Sequence, residues 1–149
     1  MKKTVLALSM VAATAVAAFA ADDPIAARKA LMQANGAAAG VSGGMMKGEI
    51  AYNPAVAKAA IAALHASAMT FGDYFPEGSD MGADTTAAPK IWEDPDGFKA
   101  ELAKFRSATD AAMQASGKDG PADLDAFKAA VGPVLGTCKS CHEGYRVKN

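Results

Sequence analysis

Apolar residues recur along this chain at helical spacing, and four of its seven prolines mark where each run begins. Asp23-Pro24, Asn53-Pro54 and Asp94-Pro95 each place a capping side chain before a proline. The side-chain oxygen accepts from the first free backbone N–H groups, and proline gives up no needed donor at the first helical position. Gly120-Pro121 is a weaker form of the same start. A first helix is predicted from about Pro24 into the forties, with Ile25, Arg28, Met32, Asn35 and Ala39 on one face. Its second half carries Gly36, Gly40, Gly43 and Gly44, which predicts bending or close helix contact. A second helix is predicted from Pro54 to about Phe71, with Val56, Ala60, Leu64, Ser67 and Phe71 in register. The third runs from Pro95 to about Ser116, ending before Gly117, with the stripe Phe98, Leu102, Phe105, Thr109 and Met113. The fourth runs from about Pro121 to Tyr145, with the stripe Leu124, Phe127, Val131, Leu135, Cys138, His142 and Tyr145. Gly132-Pro133 inside it predicts a kink or a break.

Tyr74 to Asp94 contains Pro76, Gly78, Gly82 and Pro89 and few apolar residues besides Phe75, Ile91 and Trp92. It reads as a long crossover loop, with Trp92 tucked onto the end of the bundle. Short, long and short connections fit an all-α fold, an antiparallel four-helix bundle with a long loop between the second and third helices.

The first 20 residues stand outside this pattern. Lys2 and Lys3 precede a short apolar run, and Ala18-Phe19-Ala20 forms an A-x-A site. This is the layout of a secretory signal peptide cleaved after Ala20, and the run is too short to span a bilayer comfortably. Residues 21–149 then form one domain exported to a periplasm. No later stretch reads as long and apolar enough to insert in a membrane.

Composition sharpens the picture. Hydrophobic residues make up 51% of the 149, but 37 of them are Ala. Ala is the strongest helix former and contributes little buried area, whereas a β-sandwich or barrel would call for Val, Ile, Thr and aromatics. The net charge is -1, and -3 once Lys2 and Lys3 are removed, so nothing draws the chain to nucleic acid. Large apolar side chains are so sparse that the centre of the domain needs something else to fill it.

The chemistry lies in Cys138-Lys139-Ser140-Cys141-His142, which holds both cysteines of the chain. C-x-x-C-H is the attachment signature of c-type haem. Two thiols on one helical turn can form thioethers to the two vinyl groups of the porphyrin, and the adjacent His reaches the iron. A thioredoxin-like motif would sit near a βαβ pattern. A structural zinc site needs four ligands, and adjacent Cys141 and His142 would strain to share one ion. A disulfide across so small a loop would staple almost nothing.

A C-x-x-C-H close to the C-terminus, on the last helix of an exported bundle, resembles the class II c-type cytochromes, which are cytochrome c′ and its low-spin relatives. Thr137 to Arg146 is similar to the family's last helix, as are Met46-Lys47-Gly48-Glu49 followed by Tyr52, Phe75-Pro76 and Pro89-Lys90-Ile91-Trp92. The resemblance implies one haem c, held by Cys138 and Cys141 with His142 as proximal ligand, and frequently a homodimer. It further implies that Arg28 lies near a haem propionate and that Arg146 lies on the proximal side.

Met32 falls at the helix position that in this family faces the distal side of the iron. In low-spin members a Met there binds iron. In cytochrome c′ the position is usually a bulky side chain that leaves the iron five-coordinate, and some carry a Met that does not coordinate. Leu31-Met32 followed by Asn35-Gly36, with Met45 to Glu49 and Pro89 to Trp92, resembles the low-spin members. The implied function is electron transfer to and from redox partner proteins with His142/Met32 ligation. The second reading is a five-coordinate cytochrome c′ that binds nitric oxide or carbon monoxide. By periodicity alone Met32 reads equally as a core residue.

His65 reads as a surface or packing residue, as do Met45, Met46, Met69 and Met113. Lys139, Arg146 and Lys148 form a small basic cluster suited to the helix C-terminus or to an acidic partner. The sequence shows no Ser/His/Asp set, phosphate loop or second metal cluster, so it is not read as an enzyme. A colourless structural bundle is the alternative from another class. The porphyrin is expected to supply the missing core volume, against Met32, Leu102, Phe105, Leu135 and Tyr145.

Overall fold

A computed structural model of the chain describes residues 23–82 and 84–147. The predicted signal segment, its cleavage site and Lys148 lie outside the described residues. Four long helices, α1 (Pro24–Lys47), α2 (Pro54–Thr70), α4 (Pro95–Ser116) and α5 (Leu124–Tyr145), form the bundle. A four-residue helix, α3 (Lys90–Glu93), sits inside the crossover, and a 3-10 turn over Phe71–Tyr74 extends α2. Packing runs α1 on α2, α2 on α4, α4 on α5 and α5 back on α1, with α4–α5 and α2–α4 the most extensive. The short α1–α2 and α4–α5 connections make those neighbours antiparallel.

The capping logic holds at three helix starts. Asp23 Oδ1 accepts from the Ala26 amide, Asn53 Oδ1 from Ala55 and Val56, and Asp94 Oδ1 from Gly97. The fourth start is corrected: α5 begins at Leu124, and Asp123 caps it by accepting from the Ala126 amide. Pro121 instead is buried in the turn, where its carbonyl accepts the Tyr52 hydroxyl. Gly120 in this turn has φ +97, and a Cβ there would collide with the Pro54 backbone, so the turn fits directly onto the start of α2.

α5 runs unbroken through Pro133. The ring is exposed, and so is Ala129, whose carbonyl loses its helical donor, so water can replace that bond. The glycine-rich half of α1 is also continuous. The expected close helix contact is not seen: a Cβ at Gly36, Gly40 or Gly43 would meet open space, and Gly44 instead makes room for the Ile50 side chain of the following connection. Another expectation fails: Pro54–Tyr74 is long and apolar enough to cross a membrane by length and composition alone. Its apolarity comes largely from Ala, and Ala57, Ala60, Ile61, Leu64 and Ala68 are buried within the bundle.

Two clusters make the interior. One joins Ala38, Met45, Ala57, Ala60, Ile61, Leu64, Ala112, Phe127, Val131 and Val134, where small side chains let the helices approach. The other is aromatic, built on Phe71, Ile91 and Phe98 with Phe75, Trp92 and Tyr145 against them. This second cluster walls the cavity described next.

Candidate functional site

A largely apolar cavity of about 520 Å³ opens between α1, α4, α5 and the crossover. That volume lies within the roughly 300–1,000 Å³ of pockets for organic ligands and cofactors. Its walls include Met32 and Asn35 of α1, Leu102 and Phe105 of α4, and Cys138, Cys141 and His142 of α5. Phe71, Phe75 and Phe98 add an aromatic wall, with edge-on ring contacts at 5.0 Å (Phe71–Phe75) and 4.8 Å (Phe75–Phe98). Tyr145 continues it at 5.3 Å from Phe98, and its hydroxyl donates to Asp94 Oδ2 at 2.9 Å.

The motif occupies the last two turns of α5, so helical spacing puts Cys138, Cys141 and His142 on the cavity side. Both cysteines are free and half-buried. Burial raises the Cys138 thiol above its usual range. It pushes Cys141 up to about 11, with the negative charge of Glu101 and the neighbouring Cys138 adding to the effect. Burial, then the positive charge of Arg146, lowers the His142 pKa from 6.5. Near neutral pH the site therefore presents two protonated thiols and a neutral imidazole with a lone pair to donate. Between the cysteines, Ser140 donates to Glu101 Oε2 at 2.7 Å and so ties the motif to α4. The hydrogen bonds from Lys104 and Ser140 hold the Glu101 carboxyl below its usual range.

Arg28 is 4% exposed and reaches out of α1 into the crossover. Nη1 donates to Tyr74 O at 3.2 Å and Ser79 Oγ at 3.0 Å, and Nη2 to Ser79 O at 2.5 Å and Thr85 Oγ1 at 2.9 Å. The guanidinium also lies 5.0 Å from the Phe75 ring centre and 5.7 Å from that of Trp92. Burial lowers its pKa, while Asp23 and Asp80 work the other way. Arg28 lines the cavity, yet its four terminal N–H donors are spent on the loop, which leaves Nε–H for any anionic group beside it. The far end of the loop is stitched to α5. The Ala88 amide donates to Tyr145 O at 3.0 Å and the Val147 amide to Thr86 O at 2.9 Å, a single antiparallel bridge between Ala87 and Arg146. Thr85, Thr86 and Ala87 thereby form one edge of the cavity, and Arg146 another.

Of the residues the sequence singled out, Cys138, Cys141, His142, Met32, Arg28 and Arg146 all line this one cavity, with Leu102, Phe105 and Tyr145. Leu135 is corrected: it packs against the Ala-rich cluster, one turn short of the cavity. Among the described methionines, Met32 is the one in the cavity wall. Met45 is fully buried in the other cluster, Met46 and Met113 pack on it, and Met69 is exposed. His65 is bound to Asp110 at 2.8 Å, between α2 and α4 and away from the cavity. Lys139 pairs with Glu143 at 3.8 Å. Trp92 does pack on the bundle end, its indole donating to Pro76 O at 3.1 Å.

Sequence reasoning missed Glu101, Asp94 with Tyr145, and the pairing of Asn35 with Ser67. Asn35 and Ser67 each stood on a predicted inner face, which was the available signal. Their meeting depends on how α1 and α2 dock.

The donor set fits a covalently held haem. Two protonated thiols can add across vinyl groups, a neutral imidazole can take one axial position, and the apolar walls suit a porphyrin. Comparisons with known proteins agree. The family model described as Cytochrome C′ matches residues 23–146. A cytochrome c′ of Rhodopseudomonas palustris is 40% identical over 131 residues, covering 88% of this chain and 86% of that one. A solved structure of cytochrome c′ from the same species has a TM-score of 0.76 at 39% identity, covering 85% of this chain and 98% of that one. A cytochrome c-556 of Agrobacterium fabrum is 32% identical over 146 residues, covering 98% of this chain and 96% of that one. A further solved cytochrome c′, described by a ligand-controlled dimer dissociation, has a TM-score of 0.73 at 27% identity and covers 84% of this chain and 95% of that one.

Proposed function

The chain belongs to the cytochrome c′ family and is a c-type cytochrome with one covalent haem c, and from that premise we propose that it carries electrons with His142 and Met32 as the axial ligands. The observation that carries this reading is that Met32, alone among the described methionines, lines the cavity that also holds Cys138, Cys141 and His142. When bound, the haem supplies a one-electron couple, and a thioether opposite an imidazole raises its potential. The chain's own residues do the rest. Cys138 and Cys141 fix the group covalently, and His142 presents a neutral imidazole from the same helix. The aromatic wall and Leu102 would give the group apolar surface to pack against. Arg28 holds the loop edge in place and keeps Nε–H for a propionate, and burial, with the charge of Arg146 adding to it, lowers the pKa of the imidazole and favours its neutral form.

Absorption spectra test the proposal. A sharp ferrous α band, a weak ferric methionine-to-iron band in the red and no response to carbon monoxide at concentrations that saturate an open haem iron are expected. The Met32→Ala variant should lose the red band and gain carbon monoxide binding. A high-spin wild-type spectrum that shifts with carbon monoxide would sink the reading. It would favour the second one, a five-coordinate cytochrome c′ that binds nitric oxide or carbon monoxide, which the greater identity to cytochrome c′ supports.

The layout of residues 1–20 supports export to a periplasm with cleavage after Ala20. The exposed apolar positions Val56, Ala59, Ala63, Ala66 and Met69 run along α2 at helical spacing and support pairing of two copies. A Val56→Glu/Met69→Glu chain that sediments as a monomer, against a dimeric parent, would bear this out. A monomeric parent would refute it.

A further inference from the structure

Asn35 is 8% exposed and lies one helical turn after Met32 on α1. Its Nδ2 donates to Ser67 Oγ of α2 at 2.9 Å and stands 4.0 Å from the Met32 Sδ. Ser67 is itself 2% exposed. The Asn35 Oδ1, also buried, has no hydrogen-bond partner.

This is a costly residue for its place. The buried positions around it on α1 and α2 include Ala38, Ala60 and Leu64, and an apolar side chain at position 35 would leave no orphaned acceptor. The amide is oriented by what it faces. A thioether sulfur can only accept, so the amide must turn its NH₂ towards Met32. One N–H then meets the sulfur and the other is anchored on Ser67, which commits Oδ1 to a direction without a donor. Methionine is the most flexible of the apolar side chains, with three rotatable bonds and no branch to limit them. A fixed N–H on one sulfur lone pair removes much of that freedom and leaves the other lone pair for the cavity that Met32 lines.

We infer that Asn35, anchored by Ser67, is a positioning residue that orients the Met32 thioether towards the cavity. Groups around a metal ligand commonly set its orientation and donor strength in this way. The inference rests on the proposed ligation by Met32.

The test compares holo-protein of the wild type with Asn35→Leu, Ser67→Ala and Ser67→Thr. Carbon monoxide must displace the thioether from ferrous iron, so its affinity reports how firmly the sulfur is held. Asn35→Leu is expected to raise that affinity about 10- to 100-fold, the range found when such supporting groups are lost, and to weaken the ferric red band. Ser67→Ala should give a smaller change in the same direction, and Ser67→Thr, which keeps the Oγ, should restore wild-type behaviour. Thermal unfolding of each variant separates a local change at the sulfur from general loosening. If the wild type shows the red band and both Asn35→Leu and Ser67→Ala keep its intensity and the wild-type carbon monoxide affinity, this inference alone is overturned. If the wild type lacks the band, or Met32→Ala keeps it, the ligation fails and the inference falls with it. Should Asn35→Leu not fold, Ser67→Ala decides by the same criteria.

Discussion

Replacing Arg28 with Met should release the crossover loop from the cavity edge. Met keeps an apolar stem to lie against Phe75 and Trp92 but removes all four terminal N–H donors. A hydrogen bond from a charged donor contributes about 1.5–3 kcal/mol, so simple addition would give about 6–12 kcal/mol. The true loss is smaller. Tyr74 O and Thr85 Oγ1 are only partly buried and can take water instead, and removing a buried cation recovers its desolvation cost. The two acceptors on Ser79, a residue 6% exposed, have no such recourse. Orphaned buried acceptors cost about 1–3 kcal/mol each, so a net destabilisation of about 3 kcal/mol is expected. For a domain of this size that lowers Tm by about 10–15 °C. Arg28→Lys should recover less than half, because one ammonium cannot reproduce the planar fork. The assay is thermal unfolding of the holo-protein together with amide hydrogen exchange. Exchange at Ser79, Ala88 and Val147 should accelerate first, since the Ala87–Arg146 bridge depends on the loop being in place. A Tm within 2 °C of wild type, with those amides still protected, would show that the loop is held by its other contacts and that Arg28 is no latch.

Other expected outcomes follow from the same geometry. Gly120→Ala combines a positive φ with a collision on the Pro54 backbone and should cost about 2–3 kcal/mol or more, read from the urea midpoint. Gly97→Ala places a Cβ on the Asp94 carboxylate and the Tyr145 hydroxyl, so it should break their hydrogen bond and return the phenol, now raised by burial and by Asp94, towards pH 10 in an ultraviolet titration. Glu101 has a folded pKa below its ordinary 4.5, so its contribution to stability is present above that pH and is lost as pH falls through the folded value. Ser140→Ala should raise the Glu101 pKa, seen by carboxyl NMR, and move the acid limb of unfolding to higher pH. A chain with Cys138→Ser and Cys141→Ser, made free of haem, should keep helical far-ultraviolet signal but lose the near-ultraviolet signal of the Phe71–Phe75–Phe98 wall. Without haem the apolar walls of this cavity of about 520 Å³ stay exposed to water, which withdraws their burial from a total stability of only about 5–15 kcal/mol. A haem-free chain with sharp, cooperative unfolding would show that the Ala-rich cluster suffices.

Local signals were the legible ones. Asp23, Asn53 and Asp94 announced their helices because a cap needs only a side-chain oxygen and the next few amides. Gly120-Pro121 misled because Asp123, three residues on, is a better cap, and because the Pro121 carbonyl was needed by Tyr52 from 69 residues away. The short α3 was missed because its four residues are too few for a periodic signal. Leu135 was misassigned because one helical stripe can serve two clusters: Val131 and Leu135 face the Ala-rich core, while Cys138 and His142 line the cavity.

By itself the sequence determined that the chain is helical, where three of its long helices start, and that Cys138, Cys141 and His142 form one chemical unit. Each of these is decided within one or two turns, by capping, propensity and helical spacing. Only the tertiary structure decided that Met32 alone among the described methionines lines the same cavity as that unit, that Arg28 is spent on the crossover loop, and that Asn35 meets Ser67 beside the sulfur. The physical reason is that these contacts join residues 32 to 57 positions apart, or walls from different helices, and are set by how the helices dock. In a bundle whose core mixes Ala with a handful of larger side chains, few bulky residues announce which faces will meet.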